Sequence, residues 1–226
     1  MQSMRGLFIT VEGGEGMGKS TNIACISDYL RARGVDLVVT REPGGTGLGE
    51  DVRNALLRVR PEPVAPMAEL LLLFAARAQH LQQVILPALE AGQWVLCDRF
   101  TDASYAYQSG GRGIDAAVVR ALENLVQGEL RPDYTLLLDA PVSIGLERAR
   151  GRGELDRFEQ EALDFYQRVR DTYLQLAKES SGRYHLVDAS EPLAEVQRQL
   201  LVICEELFAC WAPRHRELPQ RGAPRQ

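Results

Sequence analysis

The chain has 226 residues, of which 45% are hydrophobic, so it is long enough for one well-buried domain or for a large domain with a mobile lid. The net charge of −5 argues against general binding of nucleic acid or of a membrane surface, and no apolar run is long enough to cross a bilayer, so we expect neither partner. Four cysteines without metal-type spacing, and a start at residues 1–6 without the apolar core of a signal peptide, predict a reducing compartment such as the cytoplasm.

Short apolar runs alternate with longer helical patterns along most of the chain. The predicted strands are 7–11, 36–40, 94–97, 134–138 and 184–187, and the predicted helices are 19–33, 68–91, 115–127, 143–150, 158–179 and 192–210. This alternation predicts an α/β fold, with a five-stranded parallel sheet flanked by helices. We expect a single domain over residues 1–211, and a disordered tail over 212–226, which is rich in Pro, Arg and Gln.

The unusual residues of the sequence follow the predicted strands. Gly13 follows the first strand, Arg41 and Glu42 follow the second, and Asp98 and Arg99 follow the third. Parallel sheets of this type bind ligands at the carboxyl ends of their strands. The sequence therefore predicts a ligand site at this edge of the sheet.

Residues 13–20 match the pattern G-x-x-x-x-G-K-[ST], directly after the first strand and before the first helix. In such a loop the backbone N–H groups surround phosphate oxygens, and the helix N-terminus adds partial positive charge. Lys19 reaches the β- and γ-phosphates, and the Ser20 hydroxyl binds Mg²⁺. The pattern predicts a P-loop NTPase fold that binds ATP with Mg²⁺ as cofactor, through Gly13, Gly14, Glu15, Gly16, Met17, Gly18, Lys19, Ser20 and Thr21.

A P-loop alone does not distinguish a kinase from a GTPase or a motor ATPase. The base-reading motif of GTPases, N-K-x-D, is missing, because Lys178 is followed by Glu and Ser. A short chain with arginines after its strands is typical of a small-molecule kinase. Three alternatives stay open: a kinase for another nucleotide or nucleoside, a P-loop protein that binds nucleotide without transferring phosphate, and a nucleic-acid-dependent ATPase.

Four segments carry a resemblance to a known family. They read V-E-G-G-E-G-M-G-K-S-T, T-R-E-P-G-G-T, D-R-F followed by S-Y-A-Y-Q, and R-G-E-L-D-R-F-E, in that order. Together they resemble the thymidylate kinases, in the form found in bacteria, over residues 7–190. The resemblance implies transfer of the γ-phosphoryl group of ATP to dTMP, giving dTDP for dTTP biosynthesis. It also implies Mg²⁺, a homodimer packed through long apolar helices, and a cytoplasmic location.

The resemblance further assigns roles around the acceptor phosphate and sugar. Glu15 would face the deoxyribose 3′-hydroxyl, and Glu42 would lie beside the acceptor and the metal. Arg53 and Arg99 would hold the acceptor phosphate, which suits the bidentate bonding of arginine to phosphate. Asp98 would hold Mg²⁺ directly or through water; the alternative for Asp98 and Arg99 is a strand-end ion pair.

For the base, the resemblance assigns Arg77, Ser104 and Gln108 to the thymine edge, because an arginine and an amide suit a base with two carbonyls and one N–H. Tyr107 would lie under the sugar, with a purely packing role as the alternative. The family usually has a phenylalanine four residues before the arginine. Here Leu73 occupies that position, on the same helix face as Arg77, and Phe74 follows it. Either Leu73 replaces the ring as an aliphatic contact, or the helix is locally shifted and Phe74 contacts thymine.

A catalytic arginine is expected in a lid at about residues 148–160. Some family members have this arginine directly after the acidic P-loop residue, but here Gly16 follows Glu15. The lid segment contains Arg148, Arg150, Arg152 and Arg157. We predict Arg152 as catalytic beside Lys19, Arg99 and Asp98, followed by Arg148, which would also bind ATP, and Arg157. The alternative is a solvated face on which these arginines pair with Glu147, Glu154 and Asp156.

Overall fold

The computed structural model describes residues 5–151, 157–158, 161–180 and 182–215, with only the backbone of 150 and 212–215. Its centre is a five-stranded sheet in which every pairing is parallel, in the order β2-β3-β1-β4-β5. The strands are β1 Phe8–Glu12, β2 Leu37–Arg41, β3 Trp94–Asp98, β4 Tyr134–Asp139 and β5 Tyr184–Asp188. All five predicted strands are confirmed, each within about one residue at either end.

Helices cover both faces of the sheet. They are α1 Lys19–Ala32, α2 Gly47–Leu57, α3 Pro66–His80, α4 Leu86–Glu90, α5 Thr101–Ser104, α6 Ala116–Gln127, α7 Val142–Arg150, α8 Leu163–Glu179 and α9 Leu193–His215. Two π-helical segments, Leu81–Ile85 and Tyr105–Gly111, continue α3 and α5. Among the described residues, none of these helices has the length and apolar character needed to cross a membrane.

Three helical boundaries differ from the sequence prediction. The long predicted helix 68–91 is present from Pro66 to Glu90, but a π-helical turn interrupts it. The helix predicted from 158 begins at Leu163. The last helix runs to His215, so the first four residues of the predicted tail are helical, and residues 216–226 lie outside the description.

Helix α2 and the helical segment from Thr101 to Gly111 were not predicted. Two glycines, Gly47 and Gly49, lie in the first turn of α2 and conceal the helical pattern. The helix is nevertheless capped, because the Thr46 hydroxyl accepts a hydrogen bond from the Gly49 N–H at 3.0 Å. This helix carries Arg53 to the carboxyl edge of the sheet.

The sheet is apolar on both faces because helices cover both. On one face, side chains of α1 and α9 such as Ile26 and Leu200 pack against Ile9 and Val11 of β1. On the other face, separate clusters form around Phe8 and around the α8 aromatics. This packing holds the carboxyl ends of the strands at one edge, where Val11 and Arg41 are both register partners of Asp98.

Candidate active site

The P-loop joins β1 to α1 in a conformation that requires glycine. Gly16 has a φ of +71°, and a Cβ there would lie 1.9 Å from the Gly145 carbonyl oxygen. Gly13 has a φ of +140°, and a Cβ there would lie 2.4 Å from the Leu138 carbonyl oxygen. The loop therefore packs against β4 and α7, and the first turn of α1 presents its N–H groups to the same edge of the sheet.

Lys19 is the buried cation of this loop, with 8% of its surface exposed. Its ammonium donates hydrogen bonds to the carbonyl oxygens of Gly13 at 3.2 Å and Gly14 at 2.8 Å. Burial, and then the positive charge of Arg99, lower the pKa of Lys19 to about 8. An anionic phosphate in the loop would supply the countercharge that favours the ammonium form.

The turn after β3 positions Arg99 beside the P-loop. Arg99 has a φ of +67°, the one positive φ at a non-glycine position among the described residues. Hydrogen bonds hold this conformation: the Arg99 N–H donates to the Val11 carbonyl at 3.0 Å, and the Phe100 N–H donates to Glu12 Oε1 at 2.7 Å. The backbone of the turn is thus fixed by β1.

The Arg99 guanidinium is engaged on several sides. It donates to Glu15 Oε1 at 2.6 Å, to the Gly13 carbonyl at 2.8 Å and to the Tyr107 hydroxyl at 2.9 Å. The alternative of an ion pair within the strand end does not apply, because the partner of Arg99 is Glu15 and not Asp98. Arg99 therefore links the P-loop to the helical segment that carries Tyr107.

Glu12 lies beneath this turn and is fully buried. Its carboxyl group also accepts a hydrogen bond from the Tyr173 hydroxyl at 2.7 Å. Burial, and then the neighbouring charge of Asp102, raise the pKa of Glu12 to about 8, against the opposing effect of Arg99. Glu12 thus supports the turn that carries Arg99, and the Glu12 carboxyl group itself favours its protonated, neutral form.

Arg77 is held by a second buried network. Its Nε donates to Glu42 Oε2 at 2.7 Å, and its second amino group donates to Ser104 Oγ at 3.0 Å. His80 Nδ1 lies 3.0 Å from Glu42 Oε1 and, since a carboxylate only accepts, carries the proton of that bond. The remaining amino group of Arg77 is buried without a partner among the described residues. Glu42 thus positions Arg77 and leaves one donor for a ligand.

A cavity of about 290 Å³ joins these groups. Its lining includes most of the predicted residues, namely Glu15, Gly16, Met17, Gly18, Lys19, Ser20, Thr21, Glu42, Arg53, Leu73, Arg77, Asp98, Arg99, Ser104, Tyr107 and Gln108. These predicted ATP and acceptor residues therefore face one continuous space, whereas Gly13 and Gly14 line a smaller cavity beside it. Phe158, the first residue of the helix predicted over 158–179, also lines this space.

Leu73, and not Phe74, faces the cavity. Leu73 lies one helical turn before Arg77, so the two side chains share a face of α3. Phe74 is 2% exposed and packs with Leu70 and Val119 in the core, and its ring lies 4.4 Å from the Arg77 guanidinium. The candidate contact between Phe74 and thymine is therefore replaced by a supporting contact beneath Arg77.

The described lid arginines make contacts outside the P-loop. Arg148 donates to the carbonyl oxygens of Ala189 at 2.7 Å and Ser190 at 3.4 Å, in the turn after β5. Arg157 donates to the Leu56 carbonyl at 2.7 Å and to Glu69 Oε2 at 2.6 Å. Arg152 lies outside the described residues. Neither Arg148 nor Arg157 lines the cavity.

The cavity contains oxygen atoms that could serve as ligands of Mg²⁺. Ser20 and Asp98 both line it, and Asp98 Oδ1 is buried without a hydrogen-bond partner among the described residues. Within the described part of the chain, no three His, Cys, Asp or Glu side chains form a metal cluster. A site with few protein ligands suits Mg²⁺, which keeps waters and uses substrate phosphate oxygens.

A phosphate loop that shares a cavity with several arginines, at the carboxyl edge of a five-stranded parallel sheet, places the protein among the P-loop kinases of small phosphorylated substrates. Comparison with known proteins narrows this class. The family model for thymidylate kinase matches residues 11–200. The chain therefore belongs to the thymidylate kinase family and is an ATP-dependent nucleoside monophosphate kinase.

Individual relatives agree with this assignment. The chain is 57% identical to the thymidylate kinase of Teredinibacter turnerae over 197 residues, which cover 87% of this chain and 96% of the relative. It is 59% identical to that of Pseudomonas entomophila over 197 residues, covering 87% and 94%. A crystal structure of thymidylate kinase from Ehrlichia chaffeensis superposes with a TM-score of 0.73, at 32% identity, covering 90% of this chain and 99% of that one.

Proposed function

We propose that this kinase transfers the γ-phosphoryl group of ATP to dTMP, giving ADP and dTDP for dTTP biosynthesis. The observation that carries the proposal is the single cavity, which extends from Lys19 of the P-loop to Arg77 and Gln108. A donor phosphate held by the loop and an acceptor base read by Arg77 would lie in one space, as direct transfer between them requires.

On the ATP side, the backbone of residues 13–18 and the ammonium of Lys19 hold the β- and γ-phosphates. Lys19 now donates to the loop's own carbonyls, so an incoming phosphate replaces neutral partners with a charged one. Ser20 and Asp98 hold Mg²⁺, which neutralises charge on the phosphates when it is bound. Arg148, which donates a hydrogen bond to the Ala189 carbonyl in the turn after β5, contributes to the ATP site from that turn.

On the acceptor side, Arg53 and Arg99 hold the dTMP phosphate. Both line the cavity, and the Arg53 guanidinium donates to the Pro43 carbonyl at 3.1 Å, which fixes its approach from α2. Glu15 and Tyr107 lie next to Arg99 and contact the deoxyribose. The acceptor phosphate oxygen attacks the γ-phosphorus in line, so the protein supplies position and charge rather than a nucleophile.

The base pocket matches the hydrogen-bonding edge of thymine. Arg77 offers one free donor among the described residues, and Ser104 and Gln108 lie beside it. Thymine presents a carbonyl acceptor next to the N3–H donor, which a guanidinium and an amide oxygen satisfy together. Leu73 supplies an apolar plate against the ring.

We also propose a cytoplasmic homodimer. Helix α3 exposes an apolar stripe with Met67 at 44% and Leu71 at 51% exposure, which a second copy of the helix would cover. All four cysteines are free thiols, as in proteins of a reducing compartment.

The test is ADP release by the purified chain with Mg²⁺ and ATP, with and without dTMP, and with dUMP, dCMP and AMP as alternative acceptors. Lys19→Ala should reduce dTMP-dependent turnover by more than about tenfold, because it removes the phosphate-binding charge. The control is Lys178→Ala, because Lys178 is the other lysine of the chain and lies on the exposed side of α8. This variant should retain wild-type turnover. Turnover that does not depend on dTMP, or that another acceptor supports better, would contradict the proposal.

A further inference from the structure

Glu69 on α3 is a buried carboxylate that the reaction described above does not use. Its side chain is 0% exposed, yet it makes hydrogen bonds to three residues in two other segments of the chain. Gln108 Nε2 donates to Oε1 at 2.8 Å, Arg112 Nε donates to Oε1 at 3.3 Å, and an amino group of Arg157 donates to Oε2 at 2.6 Å. A charge buried in this way persists only where it is paired, as this one is with two arginines.

The bond to Gln108 determines which end of the amide faces the substrate. A carboxylate can only accept hydrogen bonds, so the Gln108 amino group must point toward Glu69. The carbonyl oxygen of the same amide is then the end that remains for a ligand in the cavity, which Gln108 lines. An amide free to turn over would present either a donor or an acceptor.

The bond to Arg157 fixes a wall of the same cavity. Arg157 also donates from its backbone N–H to the Leu57 carbonyl at 3.2 Å, and its guanidinium lies 4.3 Å from the Phe158 ring centroid. Phe158 lines the cavity beside Tyr107, with the ring centroids 6.1 Å apart. Glu69 therefore holds the segment that places Phe158 in the wall of the cavity.

We propose that Glu69 is a positioning residue for acceptor selection, which keeps the Gln108 carbonyl oxygen directed at a base N–H and keeps Phe158 in the wall of the pocket. The inference rests on the proposed role of Gln108 in reading the acceptor base. It gives a specific chemical consequence: thymine carries a proton on N3, whereas cytosine has a bare acceptor nitrogen there. A fixed amide oxygen accepts from the first and repels the second.

The test substitutes Glu69→Gln, which preserves shape while allowing the amide of Gln108 to pair in either orientation. We expect kcat/KM for dTMP to fall by about tenfold and that for 5-methyl-dCMP, which keeps the methyl group, to fall much less. The acceptor ratio, which is kcat/KM for dTMP divided by kcat/KM for 5-methyl-dCMP, should therefore fall by about fivefold or more. An unchanged ratio, whether both values fall equally or neither falls, would overturn the proposal.

The matched control is Glu123→Gln, which neutralises another buried glutamate, one bonded to Tyr105 and Arg131 and absent from the cavity lining. Glu123→Gln should leave the acceptor ratio unchanged.

If Glu69→Gln does not fold, as judged by thermal melting, a second variant replaces it. Glu69→Asp withdraws the carboxylate by one methylene and should lower the acceptor ratio in the same way. A folded Glu69→Asp with the wild-type ratio would overturn the proposal.

Gln108→Ala separates the failure of this inference from failure of its premise. The double variant Glu69→Gln/Gln108→Ala should show the same acceptor ratio as Gln108→Ala, because the Gln108 amide is the route by which Glu69 distinguishes the two bases, whereas the Phe158 wall contacts both acceptors alike. If Gln108→Ala shifts the ratio and Glu69→Gln does not, the role of Glu69 is wrong while that of Gln108 stands. If Gln108→Ala leaves the ratio unchanged, the premise is wrong and the inference falls with it.

Discussion

The guanidinium of Arg99 donates a hydrogen bond of 2.6 Å to the carboxylate of Glu15, which joins the turn after β3 to the P-loop. The Tyr107 hydroxyl closes a triangle with them, since it accepts from Arg99 at 2.9 Å and donates to Glu15 at 3.0 Å. The arginine proposed to hold the acceptor phosphate is therefore oriented by the loop proposed to hold the donor phosphates. This shared residue couples the two halves of the cavity.

Arg99→Lys should lower kcat/KM for dTMP by about a hundredfold or more. A lysine ammonium cannot reproduce a planar fork that contacts Glu15, Gly13 and Tyr107 while also binding phosphate. The measurement is steady-state kinetics with dTMP varied at saturating ATP. Arg5→Lys is the control, because Arg5 makes a two-bond pair with Asp133 at the surface, away from the cavity. A loss of less than about tenfold would show that a point charge suffices.

When nucleotide binds near pH 8, the protein should take up a proton on the Lys19 amino group. In the free protein the pKa of Lys19 is lowered to about 8, so at that pH a substantial fraction is neutral. Bound phosphates raise the pKa by favouring the ammonium, and affinity should therefore decline as the pH rises above 8. Calorimetric titration with ADP in buffers of different ionisation enthalpy measures the uptake. Lys19→Arg keeps a permanent charge and should abolish it; equal uptake by both proteins would contradict the assignment.

Stability should depend on pH through Glu12. Its pKa is about 8 in the folded protein and near 4.5 in the unfolded chain, because burial and Asp102 disfavour the charge more than Arg99 favours it. The contribution of protonated Glu12 to the free energy of unfolding is complete below about pH 4.5. It is lost as the pH rises toward 8, because between these pH values only the unfolded chain releases the Glu12 proton.

Glu12→Gln should remove this dependence without a change of shape. Denaturant unfolding at pH 5, 6.5 and 8 should show wild-type stability falling relative to the variant, by up to about 1.4 kcal/mol for each pH unit. Parallel curves for the two proteins across this range would mean that Glu12 is ionised in the folded protein.

The fold could be predicted from the sequence because each strand is a short apolar run between clear breaks. The five strands agree with their predicted positions. In the central strands β1, β3 and β4, burial on both faces leaves little freedom in where such a run begins or ends. Helix α2 could not be found in this way. Its first turn contains Gly47 and Gly49, and its stability depends on the Thr46 cap and on packing against α3, neither of which leaves a periodic pattern.

The candidate site could be predicted only where a local motif carried it. The P-loop and the turn at Asp98 and Arg99 are contiguous segments, and helical periodicity correctly favours Leu73 over Phe74 on the side of Arg77. Glu69 had no such signal. Its partners Gln108 and Arg157 lie 39 and 88 residues away along the chain, so its role appears only when the three segments are brought together.

The catalytic arginine of this kinase is expected in the lid. The P-loop has Gly16 where an arginine would follow Glu15, and the described lid arginines are held elsewhere. Arg148 bonds to the turn at Ala189, and Arg157 bonds to Glu69. The spread charge of a phosphoryl-transfer transition state still calls for a cation at its equatorial oxygens. Arg152 stays the first candidate, although it lies outside the described residues.

Arg152→Ala should lower kcat by about a hundredfold or more and change both Michaelis constants much less, because its contact matures only in the transition state. Arg157→Ala should instead act mainly on the KM for dTMP, because Arg157 supports the pocket wall through Glu69. The control is Arg198→Ala on the exposed side of α9, where the arginine pairs with Glu195. If Arg152→Ala and Arg148→Ala both turn over at near the wild-type rate, the lid does not supply the catalytic charge, and Arg99 and Lys19 must provide it alone.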